Sequence, residues 1–345
     1  MMRRMWGLLM WGLLAVFLLA ASAPAEEGVL INSGTFPDPQ FLNYVETFDG
    51  DNNGRLSAEE IAGVTIIQIP SKAIRNLKGI EHFTALKQLD CRYNQLTSLD
   101  VSKNTALESL MCEENQLTEL DVSKNTALES LWCEENQLTE LNASGCTALV
   151  GLHCYKNKLI FLDVSGCAAL RVLDFFENQL ISLDVSGCAA LKWLYCDKNK
   201  LISLDVSWNK ELEHLFCGDN QLTELDVSKN RKLGTLRCEE NRLTFLDLQG
   251  LDRLINPASV DVGGQTRDGL RVSETGGAYV VDLGAFLPAD RFGKVSNLSG
   301  ETSGGTRFSP QSFSNGKAAF DAKPVKVRYW YDTGKNGHTM YVILT

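Results

Sequence analysis

Asparagine recurs every 21 residues, at Asn94, Asn115, Asn136, Asn157, Asn178, Asn199, Asn220 and Asn241. A leucine stands five residues before each, from Leu89 to Leu236, and another two residues after, from Leu96 to Leu243. The full unit reads L-x-x-L-x-C-x-x-N-x-L-T-x-L-D-V-S-x-N-x-x. A unit this short cannot bury an apolar face by itself, so successive copies must stack and share one continuous core. The pattern therefore predicts a solenoid. Within each turn the leucine and the cysteine two residues later alternate, as a strand with one buried face requires. The recurrent asparagine is expected to bond backbone groups at the following bend and to stack as an internal ladder. The second half of the unit, as in Leu99-Asp100-Val101-Ser102, predicts a brief extended or 3₁₀ return rather than an α-helix.

The ten cysteines fall into two columns of this repeat. Cys91, Cys112, Cys133, Cys154, Cys196, Cys217 and Cys238 take the strand position, with Phe175 in the one gap, and Cys146, Cys167 and Cys188 follow Ser-Gly on the return. No C-x-x-C or mixed cysteine and histidine ligand spacing occurs, so metal chemistry is not expected at these thiols. Parallel neighbouring positions seldom aim their Cβ atoms so that a disulfide can close. Both columns are predicted to be buried free thiols acting as small hydrophobes.

The unit T-A-L-x-x-L-x-C-x-x-N-Q-L-T-x-L-D-V-S-x-N stands at Thr105 to Asn125 and again, with its last residues varied, from Thr126. It closely resembles the cysteine-containing, 21-residue leucine-rich repeats of secreted and surface proteins of gut and oral bacteria, a group similar to the internalins. The resemblance covers about residues 60 to 255. It implies a curved α/β solenoid with a parallel β-sheet on its concave face, and a protein or glycan as ligand.

The flanks of the repeat are different. Residues 1–25 read as a secretory leader: Arg3 and Arg4, an uncharged apolar run from Trp6 to Ala20, and small residues ending at Ala25. Its removal is expected to leave an exported chain with no transmembrane span, secreted or held at the cell surface. Residues 26–85 are expected to cap the first exposed edge of the solenoid, with a helix over 38–48 and a second opened by the capping box Ser57 to Glu60. Between them Asp49 to Glu60 matches an EF-hand calcium loop. Asp49, Asp51 and Asn53 would supply side-chain oxygens, Arg55 its carbonyl, Ser57 a water-mediated contact and Glu60 a bidentate carboxylate, around one structural Ca²⁺. Such a single loop before the repeats is also a feature of the relatives that this chain resembles. Residues 86–255 hold the eight repeats. Residues 256–345 alternate β-like runs with turn clusters and predict a small all-β module.

Function is expected on the concave face. The column between the buried leucine and cysteine reads Asp90, Met111, Trp132, His153, Asp174, Tyr195, Phe216, Arg237. The next outward column holds Glu113, Glu134, Tyr155, Phe176, Asp197, Gly218 and Glu239, and the column before the leucine adds Trp193 and His214. The repeat does not require these aromatics. Met111, Trp132, His153, Tyr155, Phe176, Trp193, Tyr195, His214 and Phe216 are predicted to form a ligand-binding patch surrounded by acids, suited to a protein with basic groups around an apolar centre or to a glycan stacking on the rings. A formal net charge of −10 argues against nucleic acid as partner. No G-x-S-x-G, H-E-x-x-H or P-loop is present, and an open solenoid face excludes water poorly, so a monomeric binding protein is predicted rather than an enzyme.

Overall fold

A computed structural model describes residues 28–254, 256–335 and 337–345; the expected leader lies outside the described residues. Each repeat contributes one strand of three residues, such as Ser130–Trp132, Gly151–His153 and Val172–Asp174. These stack side by side into a ten-stranded parallel sheet. The register is in phase throughout: Leu131 lies against Leu152, and Leu152 against Leu173. Identical positions therefore form columns running along the solenoid. The backbone ladder continues past the three residues, with Cys112 N–H donating to the Trp132 carbonyl (2.8 Å) and Glu114 N–H to the Glu134 carbonyl (3.0 Å). The sheet begins at Ile66–Gln68, ahead of the first consensus repeat, and ends at Val260–Asp261, after the last.

The recurrent asparagine does what its spacing predicts. Asn115 donates Nδ2 to the carbonyls of Cys91, Cys112 and Glu113 at 3.1–3.2 Å, and its Oδ1 accepts from Leu96 N–H at 3.0 Å. The arrangement repeats turn after turn. At the last turn Gln265 takes over, its Oε1 accepting from Leu243 N–H and its Nε2 donating to the Cys238 carbonyl. The residue before each asparagine bends the chain in the left-handed region, from Tyr93 (φ 56°) to Glu240 (φ 50°). That conformation is unfavourable for a residue with a Cβ, and the fully bonded asparagine that follows holds it in place.

The return halves contain no α-helix. Leu96, Leu99 and Val101 and their equivalents point inward and join the strand leucines and cysteines in one core. All ten cysteines are free and buried. Burial pushes the strand-column thiols far above their ordinary range, as in Cys112 and Cys154, so they remain thiols. On the return, two segments come close enough to pair as parallel strands, Glu140–Asn142 with Phe161–Asp163.

At the N-terminal end lie an α-helix, Pro39–Val45, extended by a 3₁₀ turn Glu46–Phe48, and a second helix, Ala58–Gly63. Asp38 caps the first through bonds from Gln40 and Phe41 N–H, and Ser57 and Glu60 form the reciprocal capping box of the second. Phe36, Phe41 and Val45 bury themselves against Phe83 and the first turns. At the C-terminal end are a five-stranded sheet that includes Lys326–Asp332 and Thr339–Leu344, and a four-stranded sheet that includes Ala278–Asp282. They seal the last turn: Tyr329 Oη donates to the Thr244 carbonyl (2.8 Å), and Arg291 pairs with Asp247 (2.6 Å).

Candidate functional site: the concave face

The in-phase register has a direct chemical consequence. Neighbouring strands in a sheet lie about 4.8 Å apart, so aromatic residues in one column must stack. Trp132 lies over His153 with ring centroids 4.2 Å apart, Tyr195 over Phe216 at 4.8 Å, and Trp193 over His214 at 6.0 Å, all close to parallel. Tyr155 and Phe176 continue the surface in the outer column. Trp132 is 38% exposed, and Met111, His153, Tyr155, Phe176, Trp193, Tyr195, His214 and Phe216 are half-buried. The nine residues singled out from the sequence thus share one face across six consecutive turns, and the C-terminal sheets sit at the end of the solenoid. A depression of about 170 Å³ opens between Tyr155, Lys156, Asp174, Phe176, Tyr195 and Asp197.

Charges frame the rings. Lys198 Nζ lies over Phe176 at 5.1 Å and the Arg237 guanidinium over Phe216 at 5.9 Å. His153 Nδ1 is 3.9 Å from Asp174 Oδ2. Two of the acids expected around the patch are closed off from water. Glu113 and Glu134 are buried, at 5% and 4% exposure. Burial raises Glu134 to about 7, the neighbouring Glu113 adds to this, and His153 and the Tyr155 hydroxyl only partly offset it. Burial raises Asp197 to about 6, against a bond from Gly218 N–H and with help from Glu239 and Asp174. Glu113 and Glu239 are raised for the same reason. Tyr155 goes up to about 12 through burial beside Glu134.

The acidic loop near the N-terminus is also assembled. Carboxylate oxygens of Asp49, Asp51 and Glu60 lie within 4.8 Å of one another. Gly54 makes the sharp turn at φ 80°. Asp49 accepts from Asn53 and Gly54 N–H, and Glu60 from Gly50 and Ser57 N–H. For Asp49, burial raises the pKa, but these bonds outweigh it and hold the group below its ordinary range. Glu60 is lowered mainly by its bonds from Ser57 and Gly50. Asn53 Oδ1 accepts from Arg55 N–H (2.8 Å), and Ser57 Oγ donates to Glu60 (2.9 Å). Arg55–Leu56 pairs antiparallel with Val29–Leu30, the place that a second loop takes in a paired EF-hand.

One surface was not anticipated from the sequence. Ile160, Ile181 and Ile202 are 53–61% exposed and form a column on the flank where other turns carry threonine. The signal was present in that substitution, but a threonine-to-isoleucine change within a repeat reads as core drift unless the position is known to face water.

Stacked 21-residue turns, an in-phase parallel sheet and an internal asparagine ladder define this protein as a leucine-rich-repeat solenoid. Its repeats, with a cysteine in the strand, are similar to those of internalins. Internalin J of Listeria monocytogenes is 39% identical over 70 residues, which cover 20% of this chain and 8% of that relative; the chain thus spans a small part of its length. Among solved structures, the functional domain of InlJ from the same organism, described as including a cysteine ladder, aligns over 92% of this chain and 98% of its own at 22% identity and a TM-score of 0.31. Internalin C2 of Listeria monocytogenes aligns over 67% of this chain and 96% of its own at 21% identity and a TM-score of 0.46. No family model matches the chain. Among the described residues no helix is long and apolar enough to cross a membrane.

Proposed function

We propose that this is an exported binding protein, secreted or held at the cell surface, that recognises an extracellular protein partner through its concave face in an adhesive or host-interaction role. The observation that carries this reading is the run of stacked, partly exposed rings from Trp132 to Phe216 on a face whose framework needs only leucine and cysteine. A contiguous apolar patch of this kind on an open sheet is how binding surfaces are built. In this reading the protein acts by binding rather than by catalysis.

The same proposal includes one structural Ca²⁺ at the N-terminal loop. Three convergent carboxylates, two of them held ionised by backbone N–H groups, suit a hard cation that prefers oxygen. Asn53, the Arg55 carbonyl and Ser57 would complete the shell. The ion would offset the repulsion among the three acids and tighten the turn that joins the two cap helices. Calorimetric titration with Ca²⁺ tests this. One site is expected for the native chain and none for Glu60→Gln; heat absent from both overturns it.

The face itself is tested by immobilising the mature protein in Ca²⁺ and probing it with extracellular host proteins and a glycan panel. A Trp132→Ser/Trp193→Ser/Tyr195→Ser variant runs beside it, with folding checked by circular dichroism. Capture of a protein partner lost only in the variant supports the reading. Capture of a glycan lost in the variant changes the ligand class. Capture that survives moves the site elsewhere, and capture by neither chain favours a structural role in the cell envelope.

A further inference from the structure

Three concave carboxylates each keep one oxygen out of water and without a hydrogen-bond partner among the described residues: Glu113 Oε2, Glu134 Oε2 and Glu239 Oε2. All three lie in one column of the sheet, the outer one, where Tyr155 and Phe176 separate Glu134 from Asp197. A carboxylate buried this deeply costs free energy in its ionised form, and a cation beside it offsets that cost.

The chain shows once how a cation meets this column, through the other oxygen of the carboxylate, Glu113 Oε1. At the first turn Arg92 bridges Asp90 (3.2 Å) and Glu113 (3.4 Å). One turn on, Glu134 is equally buried, with His153 and the Tyr155 hydroxyl beside it and no arginine or lysine paired to it among the described residues. Four turns further, at Gly218, a second acidic notch opens. A Cβ at that glycine would lie 2.9 Å from Glu239 Oε1 and 3.3 Å from Asp197 Oδ1, so two carboxylates converge over a bare stretch of backbone. Asp197 Oδ1 accepts the Gly218 N–H (2.9 Å), and Glu239 Oε2 has no partner among the described residues. Between the two notches lie the paired rings and the depression beside them.

The separation sets the ligand's shape. From the turn of Glu134 to that of Gly218 is four strand spacings, about 19 Å, which an extended chain covers in about six residues. Six is even, so both end side chains point the same way, and those between them at even positions point at Tyr155 and Phe176. We propose that the ligand of this face is an extended segment of a basic protein, with two arginine or lysine side chains about six residues apart and apolar residues between them. One cation sits on Glu134 as Arg92 sits on Glu113, and the other sits between Asp197 and Glu239 over Gly218. This inference rests on the concave-face reading and gives the chemistry of its ligand.

The test is fluorescence anisotropy at pH 8 with the mature chain in Ca²⁺ and a labelled peptide reading Gly-Arg-Ser-Leu-Ser-Leu-Ser-Arg-Gly. Saturable binding is expected. Replacing both arginines of the peptide with glutamine, or bringing them two residues apart, should weaken it at least about tenfold, the effect of losing close charge pairs. Glu134→Gln and Gly218→Ala in the protein should each weaken it severalfold, with circular dichroism unchanged. Equal binding of the glutamine peptide, no binding of the arginine peptide, or affinity untouched by both protein variants overturns the proposal. The partner captured from the extracellular panel separates the two levels. A partner lost in the triple aromatic variant but indifferent to Glu134→Gln and Gly218→Ala leaves the face as the binding site and removes the basic segment. A partner indifferent to all of these removes both.

Discussion

Two asparagine ladders run along this solenoid, one behind the sheet and one on the return, and they are built differently. The ladder behind the sheet uses every polar atom: Asn157 donates Nδ2 to the carbonyls of Cys133, Cys154 and Tyr155, and its Oδ1 accepts from Leu138 N–H. On the return, Asn125 and Asn209 donate Nδ2 to two carbonyls of the preceding turn, and their Oδ1 atoms are buried without a partner. The first ladder is asparagine at all eight turns. The second reads Asn104, Asn125, Cys146, Cys167, Cys188, Asn209, Asn230 and Leu251. Cys146, Cys167 and Cys188 donate Sγ to the carbonyls of Val122, Ala143 and Val164, the same place in the preceding turn that Asn125 and Asn209 reach. A rung with no idle atom is exchanged only for another amide, as at Gln265, whereas a rung that wastes its acceptor can be exchanged for a thiol.

Removing a full rung should therefore have the largest effect. Asn157→Ala removes three donated bonds, from carbonyls that each keep a second donor (Asn136 on Cys133, Asn178 on Cys154, Glu135 N–H on Tyr155), and leaves the buried Leu138 N–H without a partner, so a loss of about 3 kcal/mol is expected. Urea unfolding followed by circular dichroism measures it. A loss below about 1 kcal/mol would mean that the two ladders are energetically alike and would remove the contrast.

The thiol turns are also packed more closely. A Cβ at Gly166 or Gly187 would lie 2.0 or 2.2 Å from the carbonyl oxygen of Ser144 or Ser165, whereas the asparagine turns carry Lys103, Lys124, Trp208 and Lys229 at that position. The short thiol lets adjacent returns approach, glycine makes room for the approach, and the strand pair Glu140–Asn142 with Phe161–Asp163 forms in that stretch. Gly166→Ala should cost about 2 kcal/mol through overpacking, and Lys229→Ala should be close to neutral. Equal thermal shifts for the two variants would show that the returns are evenly spaced.

Much of this was legible from the repeat. The period located every strand from Leu89 to Leu236, the buried cysteine column with Phe175 in its gap, and the role of Asn94 to Asn241. The two cap helices followed from Asp38 and from Ser57 with Glu60. Less visible was that Cys146, Cys167 and Cys188 share a column with Asn104, Asn125, Asn209 and Asn230. An asparagine and a cysteine look unrelated until both are seen to donate to one carbonyl. Nor did the pattern show that Glu113 and Glu134, among the acids expected around the patch, would be buried. Their depth depends on the size of neighbouring side chains and on curvature, which a positional alternation does not encode.

The exchange between ladder types can be made in reverse. Asn209→Cys gives up two donated bonds for one weaker one and removes an idle buried oxygen, so the two changes nearly cancel. A loss of about 1 kcal/mol or less is expected. The same exchange behind the sheet, Asn157→Cys, should cost as much as Asn157→Ala. If both exchanges prove equally harmful, the idle acceptor is not what makes the return ladder replaceable.

The smallest effect separates two kinds of idle oxygen. The return ladder wastes amide oxygens, which do not titrate; the concave column wastes carboxylate oxygens, which do. Glu134 is raised from 4.5 to about 7 by burial and by Glu113, with His153 and the Tyr155 hydroxyl opposing, and Asp197 is raised to about 6 among Asp174, Glu239 and the Gly218 N–H. The folded state therefore holds these protons more tightly than the unfolded chain does. That stabilisation is complete below about pH 4 and is lost as pH rises through 6 and 7. The melting temperature should fall between pH 5 and pH 8 as Glu134 and Asp197 ionise. Glu134→Gln should flatten the fall, and Asn209→Cys should leave its slope unchanged. A slope that ignores Glu134→Gln would place the pH dependence outside the concave column. A slope that flattens would tie the stability of the fold to the carboxyls proposed to receive a cation, because the same ionisation that weakens the free protein charges the face for its ligand.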